Sequence, residues 1–408
     1  MNSLVANFRR QALPPTLAVQ DPERWARRRV YLAWSLLFLN ALTFYSGLTF
    51  IHIPSAVGKL ITQGALVAAM LVTLLVNRRH ILRPNVFLCL VSLLAIEALI
   101  TCLQAQHFGT VYRSFRLTGY VATLWLLTPW WGRRDLLLVR CHLVTLTALL
   151  GSVLLGLLVA PGHALVYGRL SGVIWPIPAT EVAHYAAVAM GLVVVLWACG
   201  HMRGRVALLV VVVAAAMLLL THTRTALTAM VAGLLVAGLS LIVVKARVRK
   251  LFAVAGVVTA IGAITLSGLI TAWLERGEGT QDLTSFTGRT TVWSALVSVP
   301  RDKFQMFFGM GLSNKSFNGL PIDSNWLASY NDQGLFGVAV CAAILLFLLV
   351  KAYFYPRGVQ RALALFLTTY CLVASFTEVG FTDVSPYLLE VTLAASLLVP
   401  SVADVLPP

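Results

Sequence analysis

The sequence predicts an all-α protein: a polytopic membrane helix bundle of about twelve transmembrane helices with one large extracytoplasmic loop that holds short helices. Three observations predict it. The chain has 408 residues, of which 59% are hydrophobic and 11% charged, whereas a soluble domain carries about 25% charged residues. Its apolar runs are continuous and about twenty residues long, enough for a helix to cross the hydrocarbon core, and lack the alternating ten-residue pattern of a barrel strand. The net charge of +16 is gathered in short loops between those runs, as the positive-inside rule expects.

The elements follow in order. Residues 1–29 are polar and basic, with Arg9, Arg10, Arg24, Arg27, Arg28 and Arg29. This stretch is too long and too proline-containing for a signal-peptide n-region, so it is expected to be a cytoplasmic tail before an uncleaved first helix. The transmembrane domain spans 30–400, with helices expected at 31–52, 56–76, 85–105, 117–132, 136–159, 181–200, 206–222, 225–244, 251–273, 326–350, 361–379 and 384–400. Residues 401–408 form a second short tail.

Sidedness comes from the arginines and lysines. Arg78/Arg79/Arg83, Arg133/Arg134, Arg203/Arg205, Lys245/Arg247/Arg249/Lys250 and Lys351/Arg357/Arg361 fall in alternate loops with the N-terminal tail. Those loops are nearly free of acids and are assigned to the cytoplasm, as are both termini. Segments 104–116, 161–180, 221–225 and 274–325 then face the periplasm. The last is too long to be a mere connector. Within it, Val292, Trp293, Leu296 and Val299 recur at helical spacing in 285–299, which predicts a helix lying on the membrane surface. Gly309 and Gly311 mark a turn. Trp130, Trp131, Trp273 and Trp326 stand at interface depths and read as an aromatic belt.

Composition also excludes some functions. The basic residues show no face with interleaved aromatics outside the loops, so nucleic acid is not an expected partner. The six cysteines, Cys89, Cys102, Cys141, Cys199, Cys341 and Cys371, lie in or at the edge of apolar runs with no CxxC pair. They read as small buried hydrophobes. No metal cluster and no cofactor is expected.

The polar residues of interest gather on the extracytoplasmic face. Arg224 lies in 218–227 (LLLTHTRTAL) between two apolar runs, flanked by Thr221, His222, Thr223 and Thr225. An arginine is costly in hydrocarbon and marks a cavity or pathway. Arg169 lies in 167–172 (YGRLSG) and Arg289 in 287–293 (TGRTTVW), each beside Gly, Ser or Thr. Arg113 and Arg116 enter the fourth span, where they read either as snorkelling side chains or as ligand contacts. Convergent guanidiniums match phosphate oxygens and stay charged in any setting, so a lipid diphosphate is the expected ligand. Asp323, in 321–327 (PIDSNWL), reads either as a general base toward an acceptor hydroxyl or as a helix N-cap, a role Ser324 could also fill. Glu181 and His184 follow Arg169 closely and are expected to line its site, as are His222, Asn325 and Trp326. Glu97, inside the third span, is expected to pair with an arginine.

These motifs, in this order, resemble the bacterial O-antigen ligase and O-antigen polymerase family over roughly residues 168–350. Residues 167–172 are similar to the family's Arg-Leu/Phe-x-Gly element, and 221–227 to its Ser-x-Ser-Arg-x-x-x-Leu junction, with Thr for Ser. Residues 287–293 are similar to its Gly-Arg-x-x-x-Trp helix, and 309–311 followed by 323–337 to its closing segment. Ligases of the family carry His-Asn where this chain has Asp323 and Ser324, which leaves ligase and polymerase both open. The resemblance implies an inner-membrane glycosyltransferase whose donor is a glycan on undecaprenyl diphosphate and whose acceptor is a glycan or glycolipid hydroxyl. It implies that Arg169, Arg224 and Arg289 clamp the diphosphate and stabilise its charge as it leaves. Asp323 would activate the acceptor, with inversion and without a metal. The competing reading is a secondary transporter or lipid flippase for an anionic substrate. Such proteins place broken helices near the midplane, whereas the polar sites here lie at one face.

Overall fold

The computed structural model describes residues 22–44, 46–48, 50, 53–104, 108–254 and 289–400. Nearly all of the ninth expected span, Trp273 and the first part of the large loop lie outside the described residues. The remainder is a helical membrane protein. In chain order its helices are α1 (Pro22–Ala41), α2 (Ser55–Val76), α3 (Val86–Gln104), α4 (Phe108–Leu126), α5 (Leu137–Val159), the single turn α6 (Pro161–Ala164), α7 (Ala179–Ala198), α8 (Gly204–Leu220) and α9 (Arg224–Leu241). After the undescribed stretch come α10 (Arg289–Ser298), α11 (Lys303–Phe308), α12 (Asn325–Phe354), α13 (Val359–Ala374) and α14 (Pro386–Leu397). Among the described residues, six helices, α2, α3, α5, α7, α9 and α12, are long and apolar enough to cross a membrane. The apolar helices α8, α13 and α14 are shorter.

Two helices start earlier than hydropathy predicts, and for one reason. Arginines lower local hydropathy but do not stop a helix when protein acceptors satisfy them. Helix α1 begins inside the basic segment, where Arg27 pairs with Glu23 one turn away at 3.0 Å, and it ends at Ala41, well short of residue 52. Helix α4 begins at Phe108 rather than 117. Arg113 donates to the Ser313 carbonyl, and Arg116 donates to both oxygens of Asn40.

The bundle is held by large buried side chains: Trp34 and Phe38 on α1, Tyr185 on α7, and Phe366 and Tyr370 on α13. Helix α13 packs along α9, α1 along α2, and α7 along α8. Inside this packing lies a polar cluster that the sequence did not announce. Glu390 on α14 is fully buried, with His184 Nε2 of α7 2.8 Å and His142 Nε2 of α5 3.9 Å from its Oε1. His184 Nδ1 meets the Tyr370 hydroxyl at 2.9 Å, and the Trp34 indole donates to His142 Nδ1 at 3.3 Å. A buried carboxylate is costly unless other polar groups accompany it, and here helices α1, α5, α7 and α13 bring theirs around Glu390.

Two sequence expectations are corrected by packing, and the helix of the large loop finds a neighbour. Trp131 is no belt residue: it is 2% exposed within the protein. Glu97 is buried in α3, but no described residue hydrogen-bonds its carboxyl oxygens, so the expected arginine pair does not form. Helix α10 buries Leu296 against Ile322 and Ala328. Its apolar face covers the segment leading into α12, because those apolar residues need the same shielding that a bilayer would supply. Burying one leucine stabilises by about 2 kcal/mol.

Two short hairpins shape the loops. Strand β1 (Leu165–Val166) pairs with β2 (Arg169–Leu170), and β3 (Ser316–Phe317) pairs with β4 (Leu320–Pro321). Their two-residue turns, Tyr167-Gly168 and Asn318-Gly319, have positive φ at both positions. That is the turn geometry whose twist matches the strands.

Candidate active site

The site is assembled from four loops at one end of the bundle. The first carries Arg169. The β1–β2 turn presents it toward the α8–α9 junction, where Nε donates to the Thr221 carbonyl at 2.9 Å and Nη2 to Thr223 Oγ1 at 3.2 Å. The junction itself is a tight turn through His222 at φ 50°. It places Arg224 as the first residue of α9. Thr223 precedes α9 but makes no side-chain cap. Its hydroxyl donates to the Thr221 carbonyl and accepts from Arg169. The first-turn N–H groups of α9 therefore keep no side-chain partner from the usual capping residue, beside two guanidiniums. A helix start with uncapped N–H groups favours anions.

The second link runs across the bundle. Thr225 Oγ1 meets Thr377 Oγ1 at 2.8 Å, bringing the loop between α13 and α14 onto the junction. Glu378 follows. Burial pushes its carboxyl up to about 7, and the charge of Asp323 adds to that rise while Arg289 opposes it. Glu378 thus stands electrostatically between the junction and the closing segment.

The third loop holds Asp323. It adopts φ 45°, a left-handed conformation that aspartate tolerates better than most residues. Its carboxylate receives Arg289 Nε at 3.2 Å, the two side chains being 33% and 25% exposed. The residue before α12 is Ser324, which makes no side-chain cap, so Asp323 is not the cap, and its carboxylate faces Arg289. Trp293 on α10 donates to the Ile322 carbonyl at 2.7 Å and holds the segment in place. A half-exposed ion pair contributes only about 0–1 kcal/mol to stability, so stability alone is a weak reason for this one. Such constrained backbone gathers at functional sites.

The fourth element is a break in α12 at Gly334, with φ 63° and ψ −160°. A Cβ there would meet the Phe307 carbonyl carbon at 2.4 Å, and one at Gly309 would meet the Asp332 carbonyl carbon at 2.3 Å. Backbone touches backbone at this point, and only glycine permits it. Met310 and Gly311 N–H donate to the Asn331 and Asp332 carbonyls, taking up acceptors freed by the break. The Asp332 carboxylate accepts from Ser313 N, Ser313 Oγ, Asn331 Nδ2 and Lys315 Nζ. The chain from 309 to 315 is thereby pinned to the broken helix.

Of the residues expected at the site, Arg169, His222 and Arg224 come together at the α8–α9 junction, and Asp323 pairs with Arg289. Others are engaged elsewhere. His184 is bound to Glu390 and Tyr370 inside the bundle. Glu181 accepts from Thr43 and Tyr185. Asn325 is fully buried, its Oδ1 accepting from Gly380 N and Phe381 N and its Nδ2 donating to Cys341. Trp326 packs beside Phe376, with ring centroids 6.3 Å apart. Arg113 and Arg116 are spent on protein carbonyls. Polar residues close in sequence to the candidate site are thus engaged in contacts of their own. Glu378 falls inside the expected span 361–379; in the fold it follows α13 in the loop that Thr377 brings to the junction, where the charges of Asp323 and Arg289 reach it.

Residues 209–334 match a family model described as O-antigen ligase. The matched stretch begins in α8, takes in the arginine junction and α9 to α11, and ends at the break in α12. No curated protein matches the chain. The match over residues 209–334 supports the resemblance to the O-antigen ligase family that the motifs carry.

Proposed function

We propose that the protein is a membrane glycosyltransferase that moves a glycan from a lipid diphosphate carrier, of the undecaprenyl type, to an acceptor hydroxyl at the face carrying Arg169, Arg224 and Arg289. The observations that carry this reading are the hydrogen bonds of Arg169 to the α8–α9 junction, the Thr225–Thr377 bond that brings the loop of Glu378 onto that junction, and the Arg289–Asp323 pair, whose charges Glu378 feels. Arg224, Arg289 and Asp323 lie inside the family-matched segment 209–334, and Arg169 and Glu378 flank it in sequence.

The chemistry divides between the charges. Arg169, Arg224 and the first turn of α9 hold the diphosphate, and Arg289 meets the charge that develops as it leaves. Asp323, held by Arg289, orients the acceptor hydroxyl. Glu378, poised near neutrality, takes its proton, the position in which a general base is most effective. The acceptor oxygen bonds to the anomeric carbon as the bond from that carbon to phosphate oxygen breaks, with inversion. The lipid diphosphate departs with the electron pair. No metal takes part, since guanidiniums carry the charge. The face is periplasmic and the membrane is the inner one.

The test is reconstituted transfer with a lipid-diphosphate glycan and a panel of acceptors, run on the native protein and on Arg224→Ala and Asp323→Asn. Transfer that both variants lose while remaining folded supports the reading, and the acceptor used separates ligase from polymerase. Movement of a lipid or solute across vesicles without any transfer would replace it with a transport function.

A further inference from the structure

A second charged site lies at the other end of the helices that carry Arg113 and Arg116. Helix α4 runs from Phe108 to Leu126, about 28 Å at 1.5 Å per residue. It leads from the Asn40 and Ser313 contacts to the turn before α5. There an open cavity of about 440 Å³ is lined by Arg27, Arg83, Arg133 and Arg134, with Asp135 and Trp131. Four arginines line it with one carboxylate, and a second acid, Glu23, pairs with two of the four.

The walls are organised. Arg27 meets Asp135 at 3.0 Å and Glu23 at 3.0 Å; Arg133 meets Glu23 at 2.8 Å and Asp135 at 3.2 Å. Two acids shared by two arginines fix the guanidinium planes. Those arginines hold the Glu23 carboxyl below its usual range. Arg83 is tied through its backbone N–H to Thr128 Oγ1 at 3.0 Å, so its side chain starts from a fixed point on the rim.

An independent observation points to a ligand. The indole of Trp131 is 2% exposed, yet no described residue accepts from its N–H. A buried donor without a partner costs about 1–3 kcal/mol. Trp131 also lines the cavity, next to the arginines.

We propose that this cavity binds the phosphate headgroup of an anionic phospholipid. The shared chemistry is a phosphate held by guanidinium forks. A lipid is favoured over a free phosphate because the cavity opens at the ends of apolar helices, where a headgroup arrives with its acyl chains already in place. Juxtamembrane arginines gain about 1 kcal/mol each from an anionic lipid surface. The site is separate from the arginine-threonine junction and stands whether or not the chain transfers a glycan.

The experiment follows thermal unfolding of the purified full-length protein in detergent, titrated with phosphatidylglycerol, phosphatidylethanolamine or inorganic phosphate. Phosphatidylglycerol is expected to raise Tm in a saturable manner, as a ligand of the folded state does, with the other two giving no shift. In an Arg83→Ala/Arg134→Ala variant the apparent affinity should fall about tenfold or more, and Trp131→Phe should weaken it with packing retained. Arg78→Ala/Arg79→Ala, on the same face but outside the cavity, should keep the full shift. An equal shift with phosphatidylethanolamine overturns the proposal, as does an equal loss in the Arg78/Arg79 control. Saturation by inorganic phosphate alone overturns the assignment to a lipid.

Discussion

The Glu390 cluster and the Arg289–Asp323 pair each bring opposite charges or polar rings together, and they differ in how far water can reach them. Glu390, His142 and His184 have side chains 0–3% exposed, and partners from neighbouring helices surround them. Arg289 and Asp323 are a quarter to a third exposed, and Asp323 sits in a left-handed backbone conformation. The first arrangement gives up solvation entirely and must be repaid by its own hydrogen bonds. The second retains solvation and leaves guanidinium and carboxylate edges open toward a ligand. Buried charge here works for the bundle, and half-exposed charge works at the site.

The sharpest way to break that comparison is to remove one partner from each. Glu390→Ala leaves two histidines in a cavity without their acceptor and should destabilise by about 3–5 kcal/mol, the usual cost of breaking a buried pair. A lowered Tm in detergent would report it. If Glu390→Ala unfolds normally, the cluster is not structural. Arg289→Ala should do the reverse: a stability change of about 0–1 kcal/mol, with transfer falling about 10²–10³-fold, as on losing one charge-stabilising donor. Arg224→Ala should match it in single-turnover assays.

Gly334→Ala comes next. The added methyl meets backbone atoms of Phe307 and Gly309 in a conformation that alanine resists, so the cost should exceed about 1 kcal/mol. Activity should fall with stability, because the closing segment is pinned at that point. Retained Tm and rate together would show that the break is not needed.

The smallest expected effect is a pH dependence. Glu378 has its carboxyl raised from 4.5 to about 7. A raised folded-state value means that the folded protein holds its proton more tightly than the unfolded chain. The associated stability is fully present below about pH 4.5 and is lost as pH rises through about 7. Transfer should instead rise through about pH 7 as the carboxylate forms. Glu378→Gln should flatten both limbs, and a rate limb that survives it would move the base to Asp323.

The chain itself carried the bundle and much of the site. Long apolar runs can be satisfied only by helices, because backbone N–H and C=O groups in lipid need internal partners. The arginines of the junction and of the 287–293 motif were legible because charge is rare and costly in such a sequence. The Asn318-Gly319 turn was equally open to reading and marks a hairpin by composition alone. The destinations of Glu390, Glu378 and Asn325 were not legible. Each is a single polar residue whose role is set by which helix packs against it, and hydropathy carries no information about neighbours in space. Length and hydrophobicity thus determined that this chain would form apolar helices with arginines at their ends. Packing alone decided which charges would be sealed and which would remain open, because the cost of burying a charge depends on the partners that the tertiary structure brings to it.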